Sequence, residues 1–134
     1  MADEIPSIIH HVSVGTNNFE AATAFYDKVM ATIGARRVFD IPDVAVAYGK
    51  QFPEFWVQVP ADGQPAATAN GVHFGFIAPS KEAVDAFYRA ALEAGGSDDG
   101  EPGPRPGYGP DYYGAFVRDP DGHKIEATVV TGTH

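Results

Sequence analysis

Apolar and polar positions alternate from Ile8 to Val14. One parity holds Ile8, His10, Val12 and Val14, and the other holds Ile9, His11 and Ser13. This is the signature of a strand with one strongly apolar face. The period then lengthens. Asn17 or Asn18 caps FEAATAFYDKVMATIG, in which Phe19, Ala22, Phe25, Tyr26 and Val29 form a helical stripe and Gly34 a stop. Three short strands are expected next, over 36–41, 44–49 and 54–59, with turns at Pro42-Asp43 and at Gln51-Phe52-Pro53.

After a polar Pro/Gly/Ala linker over 60–70 the pattern starts again. Residues 71–78 read as a strand, Ser80 caps a second helix, and Gly95-Gly96 ends it. Residues 97–111 are a Gly/Pro-rich loop. Two further strands, 112–119 and 123–130, flank the turn Asp119-Pro120-Asp121-Gly122. A shift of 62 residues lays His11 on His73, Gly34 on Gly96, and EAATAFY on EAVDAFY with five identities in seven. Helical periodicity aligns apolar positions but seldom a Glu, a Phe-Tyr pair and the stopping Gly in one register, so the chain reads as a duplication. The expected modules are 8–59 and 71–130, within one domain over 1–134.

The strand faces then single out chemistry. His11 and Ser13 point away from the apolar parity of the first strand, His73 and Gly75 from that of its repeat, and Lys124, Glu126 and Thr128 from Ile125, Ala127 and Val129. The helices need the apolar faces. His11, His73 and Glu126 are therefore expected on a common opposite face, concave if the sheet curves. Two imidazoles and a carboxylate suit a divalent metal such as Zn, Ni, Mn or Fe, and three ligands leave open positions. The spacing is too wide to be a metal motif in itself. The alternative is polar residues bonded to backbone or water.

Composition removes other classes. The net charge of −9 repels phosphate backbones, so nucleic acid is not an expected partner. Without cysteine there is no disulfide, thiolate metal site or cysteine nucleophile. No apolar run is long enough to span a bilayer, and the start MADEIPSIIHH lacks the features of a signal peptide. No membrane association is expected, and a cytoplasmic location is.

The segments IHHVSV (9–14), AFYDKVM (24–30), GVHFGF (71–76), AFYRAALEAGG (86–96) and DPDGHKIEA (119–127) resemble the vicinal oxygen chelate superfamily, the glyoxalase/bleomycin-resistance/dioxygenase group. The closest resemblance is to small glyoxalase I-like proteins. It implies an α+β fold of two tandem βαβββ modules forming a cupped eight-stranded mixed sheet. It also implies metal ligands from the first and last strand of each module, here His11, His73 and Glu126. His11 is chosen over His10 by its register with His73. Glu126 would also shuttle a proton as the catalytic residue of a glyoxalase-like lyase acting on a small molecule. The fourth corner departs from glyoxalase I, which usually has a Glu there: this chain has Trp56, with Glu54 or Gln58 available only after a register shift.

Trp56 is also a candidate pocket floor, and Phe116 a lining residue. Arg105 and Tyr108 lie in the 97–111 loop, where they are placed to close over an anionic substrate. Tyr113 and Phe116 line the cup or sit in the core, and Tyr112 shares the parity of Phe116. His10 reads as structural, His123 as exposed, and His134 as uninformative. The runner-up function is a non-catalytic small-molecule or antibiotic-binding protein of the bleomycin-resistance type, favoured by Trp56. A third reading is a structural or degenerate member. The family further implies a homodimer with sites shared between chains, with Trp56, Phe116 and Ile77 as the exposed apolar residues that favour pairing.

Overall fold

A computed structural model describes residues 5–130, so His134 lies outside it. Strand β1 (Val12–Gly15) leads into helix α1 (Phe19–Ala31), then β2 (Arg36–Ile41), β3 (Ala45–Gly49) and β4 (Phe55–Gln58). These strands form one sheet in the order β1-β4-β3-β2, with β1 parallel to β4. The second half repeats the plan. β5 (His73–Ile77) and helix α2 (Lys81–Glu93) are followed by β6 (Ser97–Asp98), β7 (Gly103–Pro104), β8 (Tyr112–Arg118) and β9 (Lys124–Val130). Its order is β5-β9-β8-β6, with β7 also on β8 and β5 parallel to β9. Both helices start where expected: Asn18 accepts from the Ala21 amide and Ser80 from the Ala83 amide.

Each sheet buries one face under its helix. Phe25, Tyr26 and Val29 of α1 meet Val46, Tyr48 and Val57, while Val84, Phe87 and Ala91 of α2 meet Val117, Ile125 and Ala127, all fully buried. The Val, Ile and Phe side chains among them contribute about 1.5–3 kcal/mol each. Phe55 joins the halves by packing on Phe74 and Phe76, with ring centroids 6.1 and 5.0 Å apart. The 119–122 turn is a second joint. Asp119 accepts from Tyr26 Oη at 2.7 Å, Asp121 from the Asn17 amide at 3.0 Å, and His123 Nε2 lies 2.7 Å from the Gly15 carbonyl oxygen.

The α+β fold of two βαβββ modules is as expected, its strands lying in mixed sheets of four and five with β1 and β5 both left as edges. Three expectations of detail are corrected. First, β1 begins at Val12 rather than Ile8. Its partner β4 starts at Phe55, and the preceding Pro53 has no N–H with which to continue a ladder. His10 is consequently exposed, with its Nδ1 2.9 Å from that of His11, and has no place in the core. Second, the 97–111 loop carries β6, β7 and a 3-10 turn at Pro106–Tyr108: the second strand of the module is present but split. Third, His123 is half-buried, because its ring bonds to the other module.

Candidate functional site

Register decides which side chains share a face. Gly75 and Phe116 flank Glu126 on the two neighbouring strands. His73 and Gly75, Lys124 and Glu126, and Tyr112, Gly114 and Phe116 therefore line the side away from α2. The opposite parity faces the helix, where Tyr113 donates to Asp85 at 2.8 Å; Tyr113 thus belongs to the helix side and not to the cup.

Glu126 is only 3% exposed and lies on a glycine floor. A Cβ on Gly75 would stand 3.4 Å from its Oε1, and one on Gly114 3.2 Å from its Oε2. Glycine inside a strand marks such a close approach, and this was the legible signal for both residues. Oε2 accepts from the Tyr112 hydroxyl at 2.5 Å, and Oε1 lies 3.2 Å from His73 Nε2. Burial, and then the bond to Glu126, push the Tyr112 hydroxyl above its usual 10.0, so it remains a proton donor at neutral pH. Sequence reasoning gave Tyr112 the parity of Phe116, but not a role as the partner of Glu126.

Phe116 forms the wall beside this pair. The His73 ring meets it edge-on at 5.8 Å, and Arg105 and Lys124 stand 5.5 and 5.1 Å from its centroid. These neighbours leave Phe116 only 8% exposed, so it is not the open apolar contact expected for pairing. Ile77, at 77%, is open, and Trp56 is half-buried. Arg105 donates to the carbonyls of Glu101, Gly103 and Pro104, which fold its own loop around it. Tyr108 stands over Tyr112, with ring centroids 5.2 Å apart.

The first module presents a second group. Ser13 and Ala47 flank Trp56, and Phe39 lies opposite Ala47. The Trp56 ring meets Phe39 at 5.4 Å and His11 at 6.2 Å, and its Nε1 donates to the Pro53 carbonyl. Under the 62-residue shift Ser13 corresponds to Gly75, and their strand partners are Trp56 and Glu126. Trp56 thus occupies the position of Glu126 in its own module. Gln58 shares its face, opposite Ala45, and Glu54 precedes the strand.

One chain therefore brings His73, Glu126, Phe116, Arg105 and Tyr108 together, and His11 separately with Trp56. Among the described residues, no three His, Cys, Asp or Glu side chains gather as a metal site. The His73–Glu126 pair nevertheless fits an ion. Ligand atoms about 2.0 Å from a tetrahedral metal lie about 3.3 Å apart, close to the 3.2 Å observed.

Comparison with known proteins agrees with this architecture. The model of the Glyoxalase/Bleomycin resistance protein/Dioxygenase superfamily matches residues 8–127. A glyoxalase/bleomycin resistance protein from Albidiferax ferrireducens T118 is 38% identical, with 92% of this chain and 99% of that one covered and a TM-score of 0.81. The chain belongs to this superfamily. Two more distant structures share its fold. A glyoxalase-related enzyme from Fulvimarina pelagi is 19% identical, over 94% of this chain and 89% of that one, with a TM-score of 0.71. Lactoylglutathione lyase from Agrobacterium tumefaciens is 23% identical, over 94% and 96%, with a TM-score of 0.63. A search of curated proteins finds no match. No helix among the described residues is long and apolar enough to cross a membrane.

Proposed function

We propose that this chain is a metal-dependent enzyme on a small molecule, a glyoxalase-like lyase whose cup is completed between two copies. The observation that carries this reading is the His73–Glu126 pair, converging on one point beside a neutral Tyr112 and unaccompanied by His11 in its own chain. His11 of one copy and His73 and Glu126 of the other would hold the ion. Its chemistry would be that of a Lewis acid toward substrate oxygens. Glu126 is placed to hold or pass a proton at Oε1, while Tyr112 donates at Oε2 and fixes the carboxylate plane. The buried floor keeps water from the far side of that carboxylate. Free edges at β1 and β5, and the exposed Ile77 and Phe52, support pairing of copies. A groove of about 640 Å³ runs along β5 and takes in His73, Gly75, Ile77 and Phe52.

A mixed dimer of His11→Ala and Glu126→Ala subunits tests the sharing. In a shared arrangement one cup keeps all three ligands and the other loses two. Metal titration is then expected to find one tight site per dimer where the wild type has two. Finding none would reject shared cups even if the dimer forms.

The second reading, a non-catalytic binder of the bleomycin-resistance type, is favoured by Trp56 at the corner opposite to Glu126. An indole cannot ligate a metal but offers a flat stacking face. Trp56→Glu separates the two. In the enzyme it supplies a fourth ligand, a second carboxylate, and is expected to tighten metal binding about ten-fold or more. In a binder it removes the stacking surface and tightens nothing.

A further inference from the structure

Resting on the shared-cup reading above, we propose that the ligand is a small aromatic acid, a planar ring that bears a carboxylate. The ring is specified by the first module. Phe39 and Trp56 flank the fully buried Ala47 on its two neighbouring strands, and their rings meet at 5.4 Å above that small residue. Phe39 remains 46% exposed, whereas Phe25, Tyr26, Tyr48 and Phe55 of the same module are buried. An exposed aromatic shelf beside His11 offers offset stacking to a flat ligand.

The carboxylate is specified by Arg105. Arg37 pairs with Asp27 and Asp40, and Arg118 and Lys124 share Asp99. Arg105 forms no ion pair among the described residues; carbonyl oxygens alone hold it over Phe116, so its position is fixed and its charge is uncompensated. In a chain of net charge −9, a rigid, unpaired guanidinium on the cup face is a specific attraction for an anion. The shelf alone would admit any flat apolar group and the arginine alone any anion. The shared cup would bring the two together and so select a ligand that has both.

Trp56 is the only tryptophan, so its fluorescence reports on the shelf. The test titrates the intact wild-type protein with phenylglyoxylate, with pyruvate (the acid without the ring) and with benzamide (the ring without the charge), alongside a divalent-metal titration of the same sample. Phenylglyoxylate is expected to quench saturably, binding about ten-fold more tightly than either control. Phe39→Leu is expected to weaken phenylglyoxylate and leave pyruvate unchanged. Arg105→Gln is expected to bring phenylglyoxylate down to benzamide, and Arg105→Lys, which keeps the charge if the loop needs a cation to fold, to retain part of the preference. Equal binding of either control, or no saturation by phenylglyoxylate, overturns the proposed ligand class. If metal still binds in that case, only the ligand class falls; if metal binding is also absent, the shared metal cup falls with it.

Discussion

A His73→Ala chain is expected to remain folded and to lose the thermal stabilisation that divalent metal confers on the wild type. A ligand that binds only the native state adds about 2.7 kcal/mol at a hundred times its Kd, a shift of several degrees in a chain of this size. His73 is an exposed side chain on the edge strand β5, so its removal leaves the cores under α1 and α2 untouched. It supplies one of only three proposed ligands, and its Nε2 is 3.2 Å from Glu126. A thermal-shift series with Zn, Ni, Mn and Fe makes the measurement. If the variant and wild type respond alike to every ion, these residues are not ligands. Gly114→Ala is a milder companion: its Cβ would meet both Glu126 Oε2 and the Ala127 carbonyl oxygen at 3.2 Å, so the carboxylate must shift and metal affinity is expected to fall.

The largest expected effect on stability is at Asp119. Its carboxylate is 4% exposed and accepts from Tyr26 Oη at 2.7 Å and from the amides of Asp121 and His123 at 2.9 Å each. Asp119→Ala leaves a fully buried phenol and two turn amides without their acceptor, and is expected to cost about 3 kcal/mol or more in denaturant unfolding. Asp119→Asn keeps one oxygen for the two amides and is expected to cost about 1 kcal/mol. Burial, the largest cause, raises the Asp119 carboxyl above its usual 3.8, against the bonds from Tyr26 and His123. A raised folded value means the folded chain holds the proton more tightly than the unfolded one. Its contribution is complete below the ordinary carboxylate range and is lost as pH climbs through the raised value. Asp119→Asn has no such loss, so its deficit against the wild type is expected to narrow as pH rises across that window. A constant gap would mean that Asp119 does not titrate there.

Much of this molecule was legible before any coordinates. Period-2 and period-3.6 patterns placed every long strand and both helices, and the cap residues Asn18 and Ser80 began those helices as read. Side-chain direction in a strand is a local property, so parity was enough to turn Glu126 away from Ile125 and Ala127 and to give Tyr112 the side of Phe116; that the two sets share one face came only from the register of β8 on β9. The strand register agrees with the alignment of Trp56 with Glu126, because each is paired with the residue two beyond the aligned histidine, His11 or His73.

What parity could not decide was how faces and edges meet. The two sheets are held together by Phe55 on Phe74 and Phe76 and by Asp119 on Tyr26, contacts between distant segments that no periodicity encodes. That packing leaves β1 and β5 as separate edges, and so parts His11 from His73 and Glu126 within one chain. The same holds at finer scale. Its place in the 97–111 loop marked Arg105 as a residue to close over an anionic substrate, but only the fold of that loop shows three carbonyls gripping it above Phe116. The bond from Tyr112 to Glu126 likewise depends on β8 and β9 lying side by side over two glycines. A residue's own chemistry and the face it occupies follow from nearby sequence, because backbone geometry alternates them. Which groups come within a few ångströms depends on long-range packing, and that is a property of the whole chain.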